Sequence, residues 1–134
     1  MSGFALRKLL GGSGSGRSVP DRPLDLVHLS RQSLGDRGLE KELLMLFDRQ
    51  AEQIIARLDS EIGNADRKWR RDLSHTLAGS AKAVGALRVA RTATAYEEAL
   101  FSSATDRELK VLREEMAAEV AAARKAIGEV LADG

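Results

Sequence analysis

The sequence predicts an all-α protein, an antiparallel four-helix bundle with a short capping helix on its N-terminal side. The composition points there first: Ala, Leu, Arg and Glu dominate, with 2 Pro, 0 Cys and 4% aromatic residues among 134, a mixture that favours helix over sheet. From residue 24 onward, apolar residues recur at three- and four-residue steps, the spacing that gathers them into one stripe on a helix. Helix-stop and helix-start signals divide that stretch into short-jointed segments, as an antiparallel bundle requires.

The elements follow in chain order. Residues 11 to 23, GGSGSGRSVPDRP, have the glycine, serine and proline content of a linker. The ten residues before them carry Phe4, Leu6, Leu9 and Leu10 with Arg7 and Lys8, enough for one amphipathic turn. Residues 1 to 23 are therefore set apart from a folded domain over 24 to 134. A first short helix, about 24 to 34, presents Leu26, Leu29 and Leu34 and stops at Gly35. A second, about 38 to 62, repeats Leu39, Leu43, Leu46, Phe47, Ile54, Leu58 and Ile62, and Gly63-Asn64 ends it. A third opens behind Asp66 as N-cap and runs to Val84, where Gly85 breaks it. A fourth covers about 87 to 101. The last opens on Thr105-Asp106-Arg107-Glu108, a capping box, and continues through Leu109, Leu112, Met116, Val120, Ala123, Ile127 and Leu131.

Several function classes drop out on composition. Without cysteine there is no disulfide framework, no thiolate metal site and no cysteine nucleophile, and the simplest setting is a reducing cytoplasm. No apolar run approaches the ~20 residues of a membrane span. The 21 basic and 20 acidic side chains are interspersed and sum to +1, so no overall field points to nucleic acid. No helix shows a spare apolar stripe, which predicts a monomer.

The third helix carries the chemistry. On a helical wheel Leu73, Leu77, Ser80 and Val84, flanked by Trp69 and Ala81, form the core side. The opposite side collects Lys68, Arg71, Ala78, Gly79 and Lys82 within about 60° of His75. His75 is thus expected on an open face with three cations around it and no carboxylate on its stripe. Such a face suits a negatively charged group on the imidazole, and the small Ala78 and Gly79 allow another protein to approach. Gly79 otherwise costs about 1 kcal/mol in a helix interior. A metal site is disfavoured, since His75 lacks a second ligand at helical spacing. Ser74 and Asp72 do not build a nucleophile-base-orienter chain with it. His28, on the first helix, reads as a partly packed or surface residue.

Asp66, Trp69, Leu73, His75-Thr76-Leu77, Gly79-Ser80-Ala81 and Gly85-Ala86-Leu87, followed by Glu97 or Glu98, resemble the histidine-containing phosphotransfer (HPt) domain family. Its pattern around the histidine is His-x-Leu-Lys-Gly-Ser/Ala with a Gly-Ala pair closing the helix. The resemblance covers about 24 to 131. It implies that His75 is the phosphoacceptor, taking a phosphoryl group from a receiver-domain phospho-aspartate and passing it to another receiver. Lys82, Arg71 and Lys68 would then stabilise the phosphoryl group, with Gly79, Ala78 and Ser80 on the docking face. The implied partners are response-regulator receiver domains and a hybrid or sensor histidine kinase. No cofactor is implied for this chain, because Mg²⁺ is expected on the receiver, and no autonomous kinase or hydrolase activity follows. One position departs from the pattern: Ala78 stands where the family usually has lysine.

Two rivals carry different expectations. A kinase dimerisation helix pair also exposes a histidine but usually reads His-Glu/Asp-x-Arg/Lys-Thr-Pro, whereas Thr76 follows His75 and no proline is near. An adaptor of the same fold would bind a receiver or kinase without carrying phosphate, and Ala78 is the residue that favours it.

Overall fold

The computed structural model describes residues 22–60 and 66–133. Five helices follow one another: α1 Leu26–Gln32, α2 Arg37–Asp59, α3 Arg67–Val84, α4 Leu87–Phe101 and α5 Asp106–Asp133. There is no strand among the described residues. The expected residues 1 to 21, Ile62 and the Gly63-Asn64 stop lie outside the described residues.

Local signals start the helices, at Asp66 and the Thr105–Glu108 box as the sequence predicts and at Asp25 and Asp36 as the structure adds. Asp25, Asp36 and Asp66 cap α1, α2 and α3 by accepting from the backbone N–H of His28, Leu39 and Trp69 at 3.0, 3.1 and 3.0 Å. The capping box of α5 is closed in both directions: Thr105 N–H donates to Glu108 Oε1 at 2.9 Å, and Glu108 N–H to Thr105 Oγ1 at 3.2 Å. The donation from Thr105 N–H holds the Glu108 carboxyl below its ordinary value.

Paired side chains fix the directions of the helices. Arg124 meets Asp48 at 2.9 Å and Arg113 meets Asp59 at 3.5 Å, so residue numbers rise along α5 as they fall along α2. The bond from Asp48, together with Glu52, raises the Arg124 guanidinium further above its ordinary value. The same reversal relates α3 to α4, where Arg71 lies over Phe101 and His75 meets Glu97. Helices α2 to α5 are the antiparallel four-helix bundle, and Leu44, Phe47, Leu58, Leu77, Tyr96, Met116 and Ile127 fill its core.

Helix α1 serves the end of α3. Gly85 closes α3 at φ +82°, the left-handed conformation that glycine adopts without steric cost. Its carbonyl accepts from Asp25 N–H at 2.8 Å, and the His28 imidazole Nε2 bonds the Lys82 carbonyl. The orphan carbonyls at the end of α3 are thereby satisfied by residues at and beside the start of α1.

Several expected core positions are corrected. In α1 the buried residue is Leu29, with Leu24 and Ser33 buried just outside its two ends, whereas Leu26 and Leu34 face solvent and the helix ends at Gln32. Leu34 and Gly35 both take positive φ and close α1 with a Gly35 N–H to Ser30 carbonyl bond of 2.9 Å, which turns the leucine outward. In α2 the seam is Leu44, Phe47, Ala51, Ile54 and Leu58, alternating steps of three and four. Leu39 and Leu46 lie beside that seam and remain exposed, as does Met45. The premise for a monomer, that no helix has spare apolar side chains, therefore does not hold.

The core side of α3 is rotated by roughly 60° from the expected one. Arg70, Ser74, Leu77, Ala78, Ala81 and Val84 are buried, while Leu73 and Ser80 are only partly so. Helix α3 packs most extensively on α4, and the buried alanines Ala78, Ala81, Ala90 and Ala93 allow close approach between their backbones. A wheel drawn on hydrophobicity alone underweights such small residues.

Candidate functional site

His75 sits in the middle of α3, with 78% of its side chain exposed. Regular helix on both sides, anchored by the Asp66 cap and the Gly85 stop, leaves little freedom beyond the side-chain torsions. Glu97, on α4, meets the imidazole: its Oε2 and Oε1 lie 3.1 and 3.4 Å from Nδ1. An ionised carboxylate can only accept, so Nδ1 carries the proton and donates. Nε2 is then the nitrogen with the lone pair, and it has no hydrogen-bond partner among the described residues.

The expectation of no carboxylate on this face is corrected twice. Glu97 arrives from the neighbouring helix, which a wheel of α3 cannot show. Asp72 shares the stripe itself and pairs with Lys68 at 3.2 Å, so Lys68 is partly neutralised. This exposed pair, one turn apart, is a weak contact.

The remaining predicted residues divide by environment. Arg71, one turn before His75, stacks over Phe101 with 4.2 Å from Cζ to the ring centroid. Phe101 is itself 68% exposed and was not singled out by the sequence, since its position at the end of α4 reads as a core residue. Lys82 is exposed and its side chain makes no ion pair among the described residues. Gly79 is exposed, and a Cβ built there meets nothing within 4 Å. Ser80 is partly buried. Ala78 is the correction: at 5% exposure it packs against the core and lies off the open face. The departure from the family pattern therefore falls on a partly interior position, which is where an alanine fits.

Ser74 is buried and its hydroxyl donates to the Arg70 carbonyl at 2.8 Å, so it does not face the imidazole's partners. The site thus brings together one imidazole whose Nε2 is open, one carboxylate on its Nδ1 and an exposed face around Gly79 with Arg71 and Lys82 toward its two ends.

The family model for the Hpt domain matches residues 42–132, more than half of the 134-residue chain, and the chain belongs to that family. Membership implies a histidine phosphotransfer role in phosphorelays, in which such domains work with receiver domains and histidine kinases. The matched stretch takes in most of α2, all of α3 and α4, and α5 but for its last residue; α1 lies outside it. Comparison with curated proteins and with solved structures finds no match. No helix among the described residues is long and apolar enough to cross a membrane.

Proposed function

We propose that this chain is a phosphorelay intermediate, accepting a phosphoryl group on His75 from the phospho-aspartate of one receiver domain and passing it to the aspartate of another. The observation that carries this reading is the Glu97 bond to Nδ1. It selects the tautomer whose Nε2 lone pair points away from its only described side-chain partner.

In the transfer, the Nε2 lone pair attacks phosphorus and the bond from phosphorus to the aspartyl oxygen breaks, returning the aspartate as a carboxylate. The new N–P bond leaves positive charge on the ring, and Glu97, still accepting from Nδ1–H, offsets it. The reverse sequence loads the next receiver. The acceptor side needs only a positioned nucleophile and room, because the receiver brings its acidic residues and Mg²⁺. Lys82 is the cation best placed to meet phosphoryl oxygens, Arg71 contributes from its seat on Phe101, and Lys68 does so in competition with Asp72. Gly79, with the partly buried Ser80 beside it, keeps the approach low, while Ala78 packs into the core beneath. A cytoplasmic setting accords with this role.

Incubation with a phosphorylated receiver tests it. An acid-labile label should appear on the wild type and be absent from His75→Gln. An adaptor of the same fold would bind the receiver and acquire no label.

A further inference from the structure

At the other side of α3 from His75, a cavity of about 300 Å³ opens between the start of α3, the end of α4 and the start of α5, lined among others by Arg67, Arg70, Tyr96, Asp106, Lys110 and Arg113. Four of these six are cations and one is a carboxylate. We infer that this cavity binds a small oxyanion of the phosphate class, at a site separate from the phosphoacceptor histidine.

Two independent observations support it. The first is the electrostatics of α3. Beyond its Asp66 cap, the helix opens with Arg67, Lys68, Arg70 and Arg71 and has no acidic residue in its first turn. The positive end of the helix dipole favours acidic residues there, and beyond the Asp66 cap the first turn supplies none, leaving the cavity end of α3 positive. Among the described residues lining the cavity, Asp106 alone supplies a negative charge.

The second is a buried donor. Tyr96 is 1% exposed and its hydroxyl accepts from Arg70 Nη1 at 2.8 Å. With that lone pair used, the hydroxyl proton remains to be donated, and it has no acceptor among the described residues. Buried hydroxyls as a rule satisfy such donors with protein, water or ligand. Around it, Arg67 is committed to the carbonyls of Leu100, Ser102 and Ala104 and contributes its charge. Among the described residues Arg113 meets only the exposed Asp59, at 3.5 Å, and Lys110 is exposed, so these two can turn to a ligand. A phosphate would accept from Tyr96 and from both cations, the charge-assisted geometry that such groups favour.

Titration with inorganic phosphate at constant ionic strength, followed by backbone amide shifts, tests the site. Saturable shifts should cluster at residues 66 to 70 and 105 to 113. The double variant Lys110→Gln/Arg113→Gln should bind about tenfold more weakly, and Asp106→Asn several-fold more tightly. Lys110 is exposed and Arg113 partly buried, so Lys110→Gln alone, at the exposed position, should weaken binding in the same direction. His75→Gln should bind phosphate as the wild type does, whatever the outcome of its labelling. Shifts centred on His75 and Lys82, shifts reproduced by chloride at the same ionic strength, or unchanged affinity in the double variant would each overturn the inference.

Discussion

Glu97 holds the Nδ1 side of His75 from the neighbouring helix at 3.1 Å, and the two sit in an antiparallel register that also brings Arg71 over Phe101 one turn away. The orientation of the reactive ring is thus set across the α3/α4 seam. Glu97 is a positioning residue in this arrangement. Glu97→Ala should slow labelling of His75 several-fold, on the order of 1 kcal/mol, because the contact is partly screened by solvent. Nitrogen-resolved NMR of the imidazole should show the Nδ1–H tautomer losing population in the same variant, a change that mere loosening of the fold would not produce. An unaltered tautomer ratio with unaltered labelling would remove Glu97 from the mechanism.

Gly79 separates approach from stability. A side chain there meets open space, and glycine is the poorest helix former after proline, so Gly79→Gln should stabilise the bundle by roughly 0.5–1 kcal/mol. The same side chain would stand beside His75 and obstruct a docking partner. Thermal melts and transfer rates on one preparation should therefore move in opposite directions. Normal transfer with raised stability would show that the glycine is not needed for access.

The cations can be ranked. Lys82→Ala should slow transfer or shorten the phosphohistidine lifetime several-fold, about 1 kcal/mol for an exposed charge. Arg71→Ala should do less to lifetime, since its guanidinium is seated on Phe101. Ala78→Lys restores the family's usual residue at a position only 5% exposed. Its stem must thread out along the core edge before the ammonium reaches solvent. Faster transfer at a stability loss of about 1–2 kcal/mol is expected. Time courses of acid-labile label, paired with denaturant melts, resolve both effects; unchanged kinetics in Lys82→Ala would discard its proposed role.

The helices were legible where the signal is local. Asp66, Gly85 and the Thr105–Glu108 box announce ends that the structure keeps to the residue, because each is a backbone-satisfying device read within four positions. The α3 core side was misplaced because Arg70 and Ser74 are buried through partners elsewhere, Tyr96 for the first and the helix's own carbonyl for the second. Hydrophobicity does not register such satisfied polar groups. The exposure of His75 was legible from its stripe, but Glu97 is 22 residues away, and only packing of α4 on α3 brings it there. Leu34, exposed at φ +55°, shows the converse: an apolar residue placed by turn geometry against its own preference.

The capping box supplies a pH dependence. Backbone N–H donation from Thr105 lowers the folded Glu108 carboxyl below its ordinary 4.5. Its ionised form is therefore favoured by folding, and the stabilisation is complete above the ordinary value. It fades as pH drops below about 4.5 and is gone once the depressed folded value is passed. Glu108→Gln should melt lower than wild type near neutral pH, and the gap should close progressively as the solution is acidified through that window. A gap independent of pH would assign the difference to shape instead of charge.

Gly85 and Gly35 together isolate what holds α1 to the bundle. Both adopt positive φ, +82° and +79°, so alanine at either costs about 1 kcal/mol for backbone conformation alone. They differ in surroundings: a Cβ at Gly35 meets nothing within 4 Å, whereas one at Gly85 would run into the Asp25 backbone carbonyl. That clash would push the start of α1 away and break the Asp25 N–H to Gly85 carbonyl bond of 2.8 Å, with the His28 contact to Lys82 beside it. Gly85→Ala should therefore cost about 2–4 kcal/mol, with amide protection lost first in residues 25 to 32, while Gly35→Ala costs only the smaller conformational part. Because Lys82 ends the reactive face, Gly85→Ala should also slow transfer to a receiver more than its loss of stability explains. Equal destabilisation by the two substitutions would mean that the close approach of α1 to the end of α3 contributes nothing beyond the glycine's own backbone freedom.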